Sequence, residues 1–180
     1  MSIQWIPMAF VYIAVMYLAM ALVHELGHYI VGMARGGADG TIHFGGERGK
    51  VYTVPLGKLR LRVSFGYLGL GLWFSIPYCI VRGRRRGSLN DILFYAGGPL
   101  ANALWLIPLH QYLPILWSDL LTWFRGDFTV INSWGPAAAY WALCFAVVPL
   151  VPWRYRRNGL DSDGLQLMTS LLALVRRSDA

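Results

Sequence analysis

The chain has 180 residues, of which 56% are hydrophobic and 14% are charged. A soluble domain of this length needs more charge to cover its surface, so the composition indicates a membrane protein with one domain over residues 1–180. The formal net charge of +7 does not indicate a nucleic-acid partner, because no aromatic-basic platform or groove-reading motif accompanies it.

A long apolar run predicts a first transmembrane helix over residues 5–33. At a rise of about 1.5 Å per residue, this run exceeds the roughly 30 Å of a bilayer core. A cleaved signal peptide is the alternative, because residues 19–21 read A-M-A. We favour an uncleaved span, since no positive charge precedes the apolar run.

The pattern changes to short alternating segments over residues 40–64, which predict two or three strands at the membrane surface. In residues 58–63 basic and apolar side chains alternate, a pattern that suits an anionic lipid surface or an ordinary solvated face. Residues 66–81 are apolar but short and rich in glycine. Their sequence is compatible with a strand, a re-entrant segment or a true membrane crossing.

Two further spans are predicted over residues 91–117 and 133–153, and residues 158–175 are too short to cross alone. The expected fold is therefore a mainly α, polytopic membrane protein. It has three firm transmembrane helices, one or two partial or re-entrant segments, and a short membrane-surface β-segment.

Arginines cluster beside the apolar runs. Since basic residues favour cytoplasmic loops, we expect a multi-pass protein of the cell membrane, with the C-terminal end of the first helix facing the cytoplasm. The clusters are Arg82, Arg84, Arg85 and Arg86, then Arg154, Arg156 and Arg157, and finally Arg176 and Arg177.

Residues 24–28 read H-E-L-G-H within the first helix. Side chains four residues apart share a helix face, so His24 and His28 can both reach one zinc ion. Glu25, beside the first histidine, can act as general base on a water molecule. The alternatives are a polar network between helices and a helix end that protrudes into the cytosol, but ionisable groups inside a span are costly enough to need a reason.

A third ligand is needed, because hydrolytic zinc sites usually have three protein ligands and one open position. Asp161 and Asp163 are the acidic residues at the start of the last apolar segment. Either carboxylate would lie at about the depth of the two histidines. Capping of a helix by Ser162 or Asp163 explains the same residues without a metal.

Residues 96–102 read A-G-G-P-L-A-N in the middle of a predicted span. Small residues allow helices to approach closely, and Pro99 leaves a backbone carbonyl unpaired. Asn102 offers both a donor and an acceptor, which suits an extended substrate or an oxyanion. Close packing of helices alone is the simpler explanation of the glycines.

Together, these three motifs resemble the site-2 protease family of intramembrane zinc metalloproteases, and the resemblance covers about residues 15–170. It implies one Zn²⁺ per chain held by His24, His28 and Asp163, with Glu25 as general base. It prefers Asp163 to Asp161, because Asp163 directly precedes a glycine. Substrate binding is assigned to Asn102, Gly98 and Pro99.

The activity that the resemblance implies is zinc-dependent cleavage of a peptide bond within or near a transmembrane segment of a membrane protein, on the cytoplasmic side. The expected partners are that substrate and the lipid bilayer. Many family members carry a sensor domain that this chain lacks room for, so a regulatory partner protein is a further expectation. The alternative is a non-catalytic membrane adaptor of the same fold that binds transmembrane helices.

Overall fold

The computed structural model describes residues 5–45, 50–65, 77–112, 134–154 and 161–178. In these residues four α-helices and four strands are present, and two 3₁₀ turns, His110–Tyr112 and Val148–Leu150, follow the second and third helices. In chain order the elements are α1 (Trp5–Ala34), β1 (Asp39–Phe44), β2 (Lys50–Leu56), β3 (Leu59–Phe65), β4 (Tyr78–Arg82), α2 (Ser88–Leu109), α3 (Trp134–Val147) and α4 (Asp163–Ser178).

The four strands form one mixed sheet in the order β2-β3-β1-β4. β1 is parallel to β3 and antiparallel to β4, while β2 and β3 form an antiparallel hairpin. The hairpin turns at Gly57, whose φ of +66° favours glycine. β2 and β4 are thus the edge strands of the described sheet.

One face of the sheet packs on α1. The register places Ile42 of β1 opposite Leu61 of β3 and Cys79 of β4, so these three side chains share that face. Ala21 of α1 and Ile42 are both fully buried and form a small core with Phe44. This packing holds α1 against the sheet.

Helices α1 and α2 pack closely because glycines lie at their contact. A Cβ atom placed on Gly97 would lie 2.8 Å from the Gly27 carbonyl oxygen, and one placed on Gly27 would collide with the Gly97 carbonyl. Small residues at such a contact let two backbones approach. The middle of α1 is therefore fixed against the middle of α2.

The expected polytopic, mainly α fold with three firm spans is wrong. Among the described residues, two helical segments are long and apolar enough to cross a bilayer, Ala14–Ala34 and Ser88–Tyr112. The span expected over residues 133–153 is instead the 14-residue helix α3 and a 3₁₀ turn. Fourteen residues reach only about 21 Å, short of a bilayer core.

The helix ends early because Pro149 lies in the turn and lacks the N–H of a further helical bond. The β-segment is also larger than expected, since β4 adds to the three strands within residues 39–65. The C-terminal part of residues 66–81 is thus a strand. Residues 46–49, 66–76, 113–117, 133 and 158–160 of the predicted segments lie outside the described residues.

Candidate metal centre

His24 and His28 lie one turn apart on α1, and both are 4% exposed. Their Nε2 atoms are 3.2 Å apart. The Asp163 Oδ2 atom, at the first residue of α4, lies 2.9 Å from His24 Nε2 and 3.3 Å from His28 Nε2. The structure thus brings together the three residues predicted as metal ligands.

The spacing of these three atoms fits a zinc ion. Zinc bonds of about 2.0–2.2 Å in a tetrahedral arrangement place neighbouring ligand atoms about 3.3 Å apart, close to the distances among His24, His28 and Asp163. Two imidazoles and one carboxylate are also a typical donor set for catalytic zinc. The residues present therefore fit the metal that the motif implies.

The main chain of α2 orients His28. Its Nδ1 lies 2.7 Å from the Phe94 carbonyl oxygen, which can only accept a hydrogen bond, so Nδ1 carries a proton. Nε2 of the neutral ring is then left with a lone pair that faces His24 and Asp163. This second bond is the usual means by which a protein fixes a metal-binding histidine.

Gly98 makes room for the two histidines. A Cβ atom at this position would lie 2.5 Å from His28 Nε2 and 2.6 Å from His24 Nε2. Any larger residue would therefore occupy the space between α2 and the ligand atoms. Of the two adjacent glycines, Gly97 thus serves the contact with α1 and Gly98 serves the metal centre.

The two aspartates have different partners. Asp161 is paired with Arg154, whose Nε lies 2.7 Å from Asp161 Oδ1, and it belongs to an isolated β-bridge with that residue. Asp163 faces the histidines. The geometry thus favours Asp163 over Asp161 as third ligand.

Ser162 caps α4, because its Oγ accepts a hydrogen bond from the Leu165 N–H at 3.2 Å. The same hydroxyl donates to the Val151 carbonyl at 2.7 Å. A Cβ atom on Gly164 would collide with the Leu150 carbonyl, so α4 begins directly against the chain that follows α3. Because Ser162 supplies the cap, Asp163 is free to face His24.

Burial alone would raise the pKa of Asp163, but when the imidazoles of His28 and His24 are protonated, their charges and hydrogen bonds lower it to about 2. The carboxyl group is therefore ionised at neutral pH, the form that binds a metal.

The Cys79 side chain of β4 differs from Asp163: burial raises the pKa of its thiol, and the nearby Glu25 carboxylate raises it further. Cys79 remains a neutral thiol.

Glu25 is 5% exposed, and its Oε2 atom is buried without a hydrogen-bond partner among the described residues. A buried carboxylate oxygen without a partner is costly. Glu25 also lines the cavity at the metal centre. Its free oxygen suits a group that exchanges protons with a molecule bound there.

A cavity of about 550 Å³ adjoins the cluster, within the range of roughly 300–1,000 Å³ typical of ligand sites. One wall is strand β4, and the others come from the four helices. Tyr17, Trp141 and Phe145 form an aromatic group on its wall, with ring centroids 5.3–6.3 Å apart. The cavity can accept an extended, largely apolar chain between β4 and the ligand residues.

The residues assigned to substrate binding lie elsewhere. Gly98, Pro99 and Asn102 are buried in α2, and none is among the described residues that line the cavity. Asn102 is fully buried, and neither its Oδ1 nor its Nδ2 has a hydrogen-bond partner among the described residues. Gly98 borders the metal ligands instead.

Sequence reasoning missed two contributors to the site. Phe94 acts through its main-chain carbonyl, which leaves no signal in the side-chain pattern. Arg84 lines the cavity and is 7% exposed, but it stands in a run of four arginines that was interpreted only by its charge.

Comparison with known proteins finds no match among family models, curated proteins or solved structures. The geometry of the site is therefore the basis for any inference about its chemistry. Its central feature is the cluster of His24, His28 and Asp163 beside the buried Glu25.

Proposed function

We propose that this protein is a zinc-dependent endopeptidase that cleaves membrane-protein substrates, similar to the site-2 protease family. The observation that carries the proposal is the convergence of His24, His28 and Asp163 beside the buried Glu25, at the wall of a cavity. Three ligands leave a position open for chemistry, as catalytic zinc sites do.

When bound, a zinc ion supplies a Lewis acid that polarises a carbonyl group and acidifies water. His24, His28 and Asp163 would hold it. Glu25 takes a proton from the attacking water and delivers it to the leaving amide nitrogen as the peptide bond breaks. The unpartnered Oε2 of Glu25 supports this role, since no described residue competes for it.

Substrate pairing at β4 is the second part of the proposal. An extended peptide can add to the edge of a sheet through main-chain hydrogen bonds. Of the two edge strands, β4 lines the cavity beside Glu25, while every residue of β2 is exposed. We therefore propose that the substrate pairs with β4. The aromatic group of the cavity favours an apolar substrate segment.

We further propose that α1 and α2 lie in a cell membrane, with the metal centre towards the cytoplasm. Several apolar side chains of α2 are well exposed, among them Leu104 (63%) and Ile107 (65%), as expected of a lipid contact. The exposed arginines between β4 and α2 lie next to the C-terminal end of α1, which fits cytoplasmic placement. A regulatory partner protein remains part of this proposal.

Two measurements on detergent-purified protein test the function. The first is the zinc content per chain, expected to be about one in wild type and sharply reduced in His28→Ala and Asp163→Ala. The second is cleavage of single-span model peptides whose apolar segments carry one glycine or proline, read by mass spectrometry. Zinc-free, well-folded wild type would refute the enzyme and favour the helix-binding adaptor.

A further inference from the structure

Arg84 differs from the arginines around it. Arg82, Arg85 and Arg86 are exposed, whereas Arg84 is 7% exposed. The preference for basic residues in cytoplasmic loops explains exposed arginines, but it does not explain a buried one. Removing a guanidinium group from water is costly unless it is well paired, so the position of Arg84 requires its own explanation.

The Arg84 side chain has three partners at the start of α2, of which the Tyr95 ring is the most distant, 5.8 Å from Arg84 Cζ. Its Nη1 donates to Asp91 Oδ1 at 2.6 Å, and its Cζ lies 4.1 Å from the centre of the Phe94 ring. Asp91 also accepts a hydrogen bond from the Gly87 N–H at 3.1 Å through its other oxygen. The guanidinium is thus fixed in place over the face of Phe94, a favourable cation–π arrangement.

Phe94 in turn has two contacts with His28. Its carbonyl oxygen accepts the His28 Nδ1–H hydrogen bond at 2.7 Å, and the two rings lie 5.2 Å apart with 33° between their planes. Arg84, Phe94 and His28 therefore form a continuous series of contacts that ends at a metal-ligand side chain.

We infer that Arg84 is a positioning residue of the metal centre: held by Asp91, it fixes Phe94 so that the Phe94 carbonyl and ring orient His28 towards the metal. The inference rests on the proposed function, since it deepens the role of the same site. Arg84 does not contact the ligand atoms; it acts through Phe94. Partners of this kind set the orientation and tautomer of a ligand histidine.

The competing explanation is that Arg84 only fastens the start of α2 to the rest of the chain. Arg35 provides a matched control, because its Nε donates to Asn90 Oδ1 at 2.8 Å and also ties the start of α2 to α1. Arg35 is partly buried as well, but no contact leads from it to His28 in the described structure. A purely structural role would make the two variants alike.

The test is zinc affinity of the full chain in detergent, measured by competition with a chromophoric chelator. We expect Arg84→Ala to weaken zinc binding about 10- to 100-fold, the usual effect of losing an outer partner of a ligand. Arg35→Ala should stay within about twofold of wild type. Arg84→Lys keeps the charge but loses the planar stack, so it should restore part of the affinity.

Cobalt substitution adds a spectroscopic signature of coordination geometry. The visible spectrum of the Co²⁺-loaded Arg84→Ala protein should shift, while that of Arg35→Ala should match wild type. If the Arg84→Ala variant does not fold, the Asp91→Asn variant is measured instead. We expect a several-fold loss of zinc affinity there, because Arg84 loses its charged partner.

Three outcomes would overturn the inference. Wild-type zinc affinity and an unchanged cobalt spectrum in both Arg84→Ala and Asp91→Asn would do so while leaving the proposed function intact. Equal losses in Arg84→Ala and Arg35→Ala would show a general structural role. Absence of zinc from folded wild type would remove the proposed function and this inference with it.

Discussion

The two halves of α2 differ sharply. In the first half, Gly97 and Gly98 bring the helix against α1 and the histidines, and Phe94 bonds to His28. In the second half, Leu104 and Ile107 are more than 60% exposed. The helix therefore combines a closely packed end with an apolar far end. We call the packed end, together with the neighbouring residues His24, Glu25, His28 and Asp163, the cluster end. The candidate metal ligands lie where the two helices approach most closely, and the lipid contact that we propose lies at the far end.

The largest expected effect is at the cluster end, where Glu25→Gln removes the proton acceptor without changing the shape of the side chain. Cleavage of the model peptides should fall by at least about 100-fold, as for the loss of a general base, while zinc content stays at wild-type level. At the far end, Leu104→Ala should leave cleavage unchanged. Wild-type cleavage by Glu25→Gln would refute the mechanism.

The next effect concerns the first residue of α4, which completes the cluster end. Asp163→Asn removes a charged ligand, and we expect zinc affinity to fall by more than the roughly 100-fold upper range of an outer partner. Asp161→Asn weakens the contacts with Arg154 and Gln166, neither of which is a predicted metal ligand, and should leave zinc affinity unchanged. Competition with a chelator measures both. The reverse order of losses would assign the third ligand to Asp161.

A smaller effect is expected from Gly98→Ala. Alanine favours a helix by about 1 kcal/mol relative to glycine, so a gain in helix stability is expected from propensity alone. The added methyl group would nevertheless lie 2.5 Å from His28 Nε2, and zinc affinity should fall at least tenfold. Leu100→Ala, a substitution at an exposed position of the same helix, is the control. Unchanged zinc binding by Gly98→Ala would mean that the histidines point elsewhere.

The last expected effect is a fall in Tm when the metal is removed. Removing the metal with a chelator destabilises a protein that binds it only when folded, by about 2.7 kcal/mol if the free zinc had been 100 times the Kd. For a chain of this size this corresponds to a fall in Tm of about 5–10 °C. Leu104→Ala should show the same fall, and His28→Ala should show none. A fall of equal size in His28→Ala would place the stabilising metal outside the cluster end.

The cluster end could be largely predicted from the sequence. The helical period alone places His24 and His28 on one face, and the family resemblance indicated Asp163. The choice between Asp163 and Asp161 could not be derived from spacing, because it depends on Ser162 capping α4 and on Arg154 pairing with Asp161. The pair of Arg154 with Asp161 joins segments on either side of residues 155–160.

Other features depend on long-range contacts that periodicity does not report. An apolar run predicted a span over residues 133–153, but its last part leaves the α-helix, and the Val151 carbonyl there receives the Ser162 hydroxyl. The pairing of β4 with β1 joins segments separated by more than 30 residues. The burial of Arg84 among exposed arginines likewise follows from its place between Asp91 and Phe94.

The separation of the ligands along the chain has a consequence for biosynthesis. His24 and Asp163 are 139 residues apart, so a nascent chain that contains α1, the sheet, α2 and α3 holds only two of the three ligands. The proposed proteolytic activity would therefore arise only after α4 has been synthesised and has docked. Under the proposed function, the unfinished chain would thus be unable to cleave itself or neighbouring membrane proteins during translation.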